Sequence, residues 1–172
     1  MIQKIFHKMG RKVVYNACYG GFGLSALAEK KLFERKNPGK TAHVYQEVNS
    51  DISDETKDEI YVRVDPEKLS DREYDIYVVC HDFGDSFVIL KKEKEMNSGN
   101  YRLFNDSFIW AYSEGIERHD PDLVAIVEEL GEKANGMCAN LKILDIGNEK
   151  YHIDEYDGYE SVITNLGDDY WH

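Results

Sequence analysis

One stretch constrains this chain more than any other: Val13-Val14-Tyr15-Asn16-Ala17-Cys18-Tyr19-Gly20-Gly21-Phe22-Gly23-Leu24-Ser25. Its first half, Val13 to Cys18, is rich in β-branched, aromatic and small apolar residues and predicts a buried strand. Glycines 20, 21 and 23 then relax the backbone limits, because a residue without Cβ enters positive φ freely. Ser25 is a natural N-cap. The helix formers Ala26 to Arg35 follow it, with Leu24, Leu27, Ala28, Leu32 and Phe33 as the apolar stripe. Asn37-Pro38-Gly39 stops the helix. A strand, a glycine turn and a helix start can together form an anion site, since free amides and the positive helix end face the same point. The spacing is not that of a known phosphate loop. G-x-x-x-x-G-K-S/T is missing, with no lysine before Ser25, and the order Gly20-Gly21-Phe22-Gly23 is not G-x-G-x-x-G. The two readings are a tight strand-to-helix connection, which is the commoner use, and a ligand-binding turn.

With 172 residues, 42% of them hydrophobic, the chain suits one domain with a real core. A net charge of −12 argues against nonspecific binding to nucleic acid, because a polyanion is repelled over most of such a surface. Cys18, Cys80 and Cys138 are odd in number and widely spaced, with no C-x-x-C pair. That usage belongs to a reducing compartment. No apolar run approaches membrane-spanning length. The first dozen residues differ from the rest: Lys4, Lys8, Arg11 and Lys12 are basic, and Ile2, Ile5, Phe6 and Met9 recur at helical spacing. Either this segment covers the core of its own domain, the reading we favour, or it is an amphipathic arm for an acidic partner.

Further along, Thr41–Val48 and Ile60–Val64 read as strands, and Asp65-Pro66 as the start of a helical turn. Residues 74–80 and 86–91 are β-rich, and the turn residues His81 to Asp85 between them predict a hairpin. The string Asp82-Phe83-Gly84 lacks every other kinase element and is read as turn chemistry. Lys91 to Asn100 is expected to be an exposed loop. Residues 101–112 hold Phe104, Phe108, Ile109, Trp110 and Tyr112, apolar bulk for a core or a partner surface. A clear helix starts at Asp120 as N-cap with Pro121 at the first position, and runs to a left-handed cap at Asn135-Gly136. Leu141–Ile146 reads as a strand, with residues 150–154 as its hairpin partner. A short amphipathic segment with Tyr159, Val162 and Ile163 follows Asp157-Gly158.

Three strings, Tyr19-Gly20-Gly21-Phe22-Gly23-Leu24-Ser25, Arg118-His119-Asp120-Pro121-Asp122-Leu123-Val124 and Ile153-Asp154-Glu155-Tyr156-Asp157-Gly158, carry a resemblance. Together they resemble a family of uncharacterised small proteins of giant viruses, phages and some bacteria. The similarity runs over roughly residues 12–36 and 116–165. It makes 12–36 and 113–165 the family core and 40–112 an expanded central region. The resemblance implies a viral source, with the host cytoplasm or a virus particle as the setting, and implies no reaction.

If the three strings converge, the candidate ligand site comprises Asn16, Tyr19, Gly20, Gly21, Gly23, Arg118, His119, Asp120, Glu155 and Asp157. Arginine and histidine beside free amides suit a phosphate or carboxylate. Each residue also has a structural role. Asp120 caps a helix, Arg118 can pair with Glu155 or Asp157, and Asp157-Gly158 can simply turn. We favour the structural roles. No metal or cofactor is expected, as neither H-E-x-x-H nor G-x-S-x-G is present. The expected fold is one α+β domain, a mixed or antiparallel sheet with helices near 25–36 and 121–135 packed on it. The expected function is a non-enzymatic interaction or structural protein, self-associating or binding another viral or host protein through aromatic surface. The alternative is a small enzyme or sensor for a phosphorylated or nucleotide-like ligand at the Gly20–Gly23 turn.

Overall fold

The computed structural model describes residues 11–49, 57–69, 75–109 and 115–164. The basic segment 1–10, Trp110, Tyr112 and the acidic tail lie outside the described residues.

Arg11–Asn16 (β1) forms the predicted strand and pairs antiparallel with Leu141–Gly147 (β6), so that Val14 faces Ile143 and Asn16 faces Leu141. The glycine turn then leads into Ala26–Lys36 (α1). Ser25 Oγ accepts the Ala28 amide at 3.2 Å and donates to the Lys133 carbonyl at 2.6 Å, so one side chain caps the helix and ties it to a distant turn. Two main helices are fastened in this way. In Pro121–Leu130 (α4), Asp120 Oδ1 accepts the amides of Asp122 and Leu123 at 2.9 and 3.2 Å. The α-helix stops earlier than the pattern predicts. Gly131 turns it at φ +57, a 3-10 turn fills Gly131–Ala134, and Asn135 has an ordinary φ of −66. The apolar stripe runs on across this change because Ala134 is still needed in the core. Val14, Ala28, Leu32, Leu123, Ile126, Ala134 and Leu141 form that core, buried between α1, α4 and the β1–β6 pair.

The central region makes a second sheet from His43–Glu47 (β2), Glu59–Arg63 (β3), Ile76–Val79 (β4) and Ser86–Ile89 (β5), in the order β4-β2-β3-β5. The expected hairpin between 74–80 and 86–91 does not form. Both runs are strands, but they occupy opposite edges of the sheet, and the chain between them crosses the sheet's end. Tyr45 and Arg63 hold this crossing. Tyr45 Oη donates to the Gly84 carbonyl at 2.9 Å and accepts the Phe83 amide at 3.0 Å, while Arg63 Nε donates to Gly84 O at 2.9 Å. Placing β2 and β3 centrally gives the large buried rings of Tyr45 and Tyr61 neighbours on both sides.

Segment 91–100 is helical rather than a loop. Lys91–Met96 (α2) and Gly99–Ser107 (α3) are joined through Asn97 at φ +48, and Glu93 reaches back to the Leu90 amide at 3.1 Å. Lysine and glutamate are good helix formers, so an exposed charged run is compatible with a surface helix. From α3, Phe104 packs with Tyr61, Phe87 and Phe83 on one face of the sheet. On the other face Phe33 of α1 packs with Val44, Val78 and Ile109. Adjacent residues of α1, Leu32 and Phe33, thus enter two different clusters and join the central region to the rest as one α+β domain.

A carboxylate at the end of this sheet yields a pH prediction. Burial, with Glu59 and Asp75 nearby, raises the Glu47 carboxyl above its usual range. The folded state therefore binds this proton more tightly than the unfolded chain, and ionisation costs stability as pH rises above about 4.5. Glu47→Gln should raise Tm at pH 7, with the gain vanishing once Glu47 is protonated below that range. A lower Tm for the variant at pH 7 would contradict the sign.

Tyr151–Tyr156 (β7) and Tyr159–Thr164 (β8) form a hairpin closed by Asp157 at φ +51 and Gly158 at φ +81. The expected partnership of 141–146 with 150–154 is thereby replaced, because β6 is taken by β1. Strand alternation in β8 explains the choice. Glu160, Val162 and Thr164 point inward, and Tyr159, Ser161 and Ile163 point outward.

Candidate functional site

Asn16, the last residue of β1, is fully buried and is the hub of the region. Its Nδ2 donates to the carbonyls of Cys18 and Gly158 at 2.7 and 2.8 Å. Its Oδ1 accepts the Asn140 amide at 2.8 Å and the Cys18 thiol at 3.3 Å. Its own amide donates to Glu160 Oε2 at 2.8 Å. Arg118 enters the same network. Its carbonyl accepts the Val14 amide at 2.8 Å, and its guanidinium grips Glu160 in a two-point fork at 3.0 and 2.6 Å. The guanidinium carbon also lies 3.3 Å from the centroid of the Phe22 ring. The free edge of β1 is thus closed by a carbonyl of the 116–120 loop and a carboxylate of β8.

The glycine turn receives the hairpin. A Cβ added at Gly158 would lie 2.5 Å from the Gly21 nitrogen and 2.9 Å from the Tyr19 oxygen, so backbone packs directly on backbone. Gly20 abuts Cys138, whose carbonyl oxygen would lie 1.8 Å from an added Cβ, and Gly23 O accepts the Gly136 amide at 2.9 Å. Gly21 adopts φ +84. Tyr19 is 68% exposed, and its ring lies 5.4 Å from that of Tyr159.

The three sequence strings therefore meet, though not every candidate joins one group. Asn16, Tyr19, Gly21 and Arg118 gather around the hairpin tip, whereas Gly20 and Gly23 meet Cys138 and Gly136 of the loop before β6. Glu155 serves that tip, accepting the Gly158 amide at 2.7 Å, and Asp157 is an exposed turn residue. Arg118 pairs with Glu160 rather than with Glu155 or Asp157. Glu160 is not among the sequence candidates, although an acid that shares the inward phase of β8 with Val162 requires a cation to meet it. His119 looks elsewhere: Nδ1 meets Tyr151 Oη and Nε2 meets Glu117, both at 2.8 Å. Asp120 caps α4 and binds Lys36 Nζ at 2.5 Å. Burial works to raise its carboxyl, but Lys36 and the Leu123 and Asp122 amides outweigh that and hold it below the usual range. His119, Asp120 and Lys36 border an open cleft of about 450 Å³ beside Ile116 and Pro121.

No protein-family model, curated protein or solved structure matches this chain. What the region can do chemically rests on its own geometry. Arg118 already holds a carboxylate, and the Cys18 thiol faces carbonyl oxygens, with no histidine among its hydrogen-bond partners within the described residues. Among the described residues, no group of three or more His, Cys, Asp or Glu could hold a metal ion. No described helix is long and apolar enough to cross a membrane. The arrangement locks a hairpin onto a turn.

Proposed function

We propose that this chain is a non-enzymatic interaction protein that associates with further copies of itself through the outward face of the β7–β8 hairpin. Following the family resemblance, we place it in a viral setting, in the host cytoplasm or in a virus particle. The observation that carries this reading is where the hairpin puts its tyrosines. Tyr156 and Tyr159 face each other across the pair and share the outward face with Ile163, at 79%, 39% and 37% exposure. Tyr19 extends the patch through its contact with Tyr159. Exposed tyrosine on a rigid scaffold supplies large contact area at low entropic cost.

Charge favours a second copy as the occupant. Two chains of net charge −12 repel each other, so they can meet only where acids are scarce. The outward hairpin residues are His152, Asp154, Tyr156, Tyr159, Ser161 and Ile163, with one acid among them. Of the two readings of 101–112, core or partner surface, the described part contributes to the core, since Tyr101, Phe104 and Phe108 pack into the central aromatic cluster. An anionic ligand at the glycine turn, the alternative function, would have to compete with Glu160 for Arg118.

Sedimentation or light scattering at rising protein concentration tests the proposal. The wild-type chain is expected to be a dimer or larger, and Tyr156→Ser with Tyr159→Ser is expected to be monomeric with an unchanged far-UV spectrum. A wild-type chain that stays monomeric, or a variant that still assembles, would overturn the reading.

A further inference from the structure

We infer that Cys18 and Cys138 form a redox-sensitive thiol pair that closes to an intramolecular disulfide on exposure to a small-molecule disulfide. The two residues lie 120 positions apart in sequence. Chain geometry nevertheless brings them together. The Ala17 amide donates to Asn140 O at 2.8 Å, which runs the end of β1 alongside the segment before β6. One residue further on, the Cys18 thiol reaches across to the Cys138 carbonyl at 2.8 Å. Gly20 permits this closeness, because a Cβ there would lie 2.4 Å from Cys138 Cβ. Cys138 is exposed on a surface loop, so its side chain can turn toward Cys18, which is half-buried.

Exposure assigns the order of events. The Cys138 thiolate attacks one sulfur of the small disulfide, forming a mixed disulfide and releasing one small thiol. The Cys18 thiolate then attacks the Cys138 sulfur and displaces the second small thiol. The protein loses two electrons and two protons, and the small disulfide becomes two thiols. The new bond staples the glycine turn to the loop before β6, beside Tyr19. Cys80, exposed at the end of β4 in the other sheet, is a built-in control.

The test is peptide mapping of the folded full-length chain after incubation with glutathione disulfide. The expected product is a linked Cys18–Cys138 peptide, with Cys80 carrying only glutathione. Because the bridge closes a long loop, Tm is expected to rise by roughly 5–10 °C, reversibly on reduction. Cys138→Ser, a surface change, should abolish both the linked peptide and the rise, while Cys80→Ser keeps both. Separate glutathione adducts on Cys18 and Cys138 with no linked species would overturn the inference, as would a linked species only after denaturation.

Discussion

Glu160→Ala is expected to destabilise the fold by about 3–5 kcal/mol, the usual cost of removing one member of a buried ion pair. The Glu160 side chain is 6% exposed and that of Arg118 23%, so water can replace little of what is lost. One carboxylate answers three donors: the Asn16 amide and both terminal nitrogens of Arg118. Alanine leaves the guanidinium on Phe22 without its counter-charge and the β1 edge with an unanswered amide. Glu160→Gln keeps the shape and one acceptor and should cost less, about 1.5–3 kcal/mol, the worth of a hydrogen bond to a charged group. Urea unfolding followed by circular dichroism measures both. The double variant with Arg118→Ala removes both charges together. Its loss should fall short of the sum of the single losses by about 0.5–3 kcal/mol. A Glu160→Ala loss below about 0.5 kcal/mol, the range of neutral surface changes, would show that the network does not hold the hairpin.

Gly158→Ala is the second large effect, expected at about 2–5 kcal/mol from two sources. At φ +81 an alanine is strained, and its Cβ would lie 2.5 Å from the Gly21 nitrogen, an atom of backbone that cannot swing away. Gly21→Ala separates the two sources. It has nearly the same φ, +84, but nothing within 4 Å of an added Cβ. That variant should lose only the conformational part, about 1–2 kcal/mol. The difference between the variants measures the docking of the hairpin on the turn. Near-UV circular dichroism should weaken with Gly158→Ala, since Tyr19 and Tyr159 lose their fixed contact. Equal losses for the two variants would refute the close approach.

Local chemistry was legible wherever a residue and its partner lie within a few positions. The strand from Val13, the Ser25 and Asp120 caps, the stop after Lys36 and the turn at Asp157-Gly158 all follow from dihedral preference and side-chain reach. The lysine- and glutamate-rich helix at 91–96 was readable from propensity, but its polarity outweighed that signal. Strand pairing was not legible. Runs 74–80 and 86–91 look like neighbours because a short loop joins them, and the order β4-β2-β3-β5 arises from how Tyr45 and Tyr61 bury their rings.

The candidate site divides along the same line. Residues 13–25 dictate a strand, a glycine turn and a capped helix through their own dihedral preferences, and Arg118 by its charge calls for an acid. Packing in three dimensions chose Glu160 as that acid, 42 residues away, and chose Gly158 and Cys138 to fill the room the glycines leave. A buried charge announces that it requires a partner, because desolvation must be offset, but it carries no information about which one. Likewise a glycine announces permission for close approach and leaves the approaching chain to be chosen by packing.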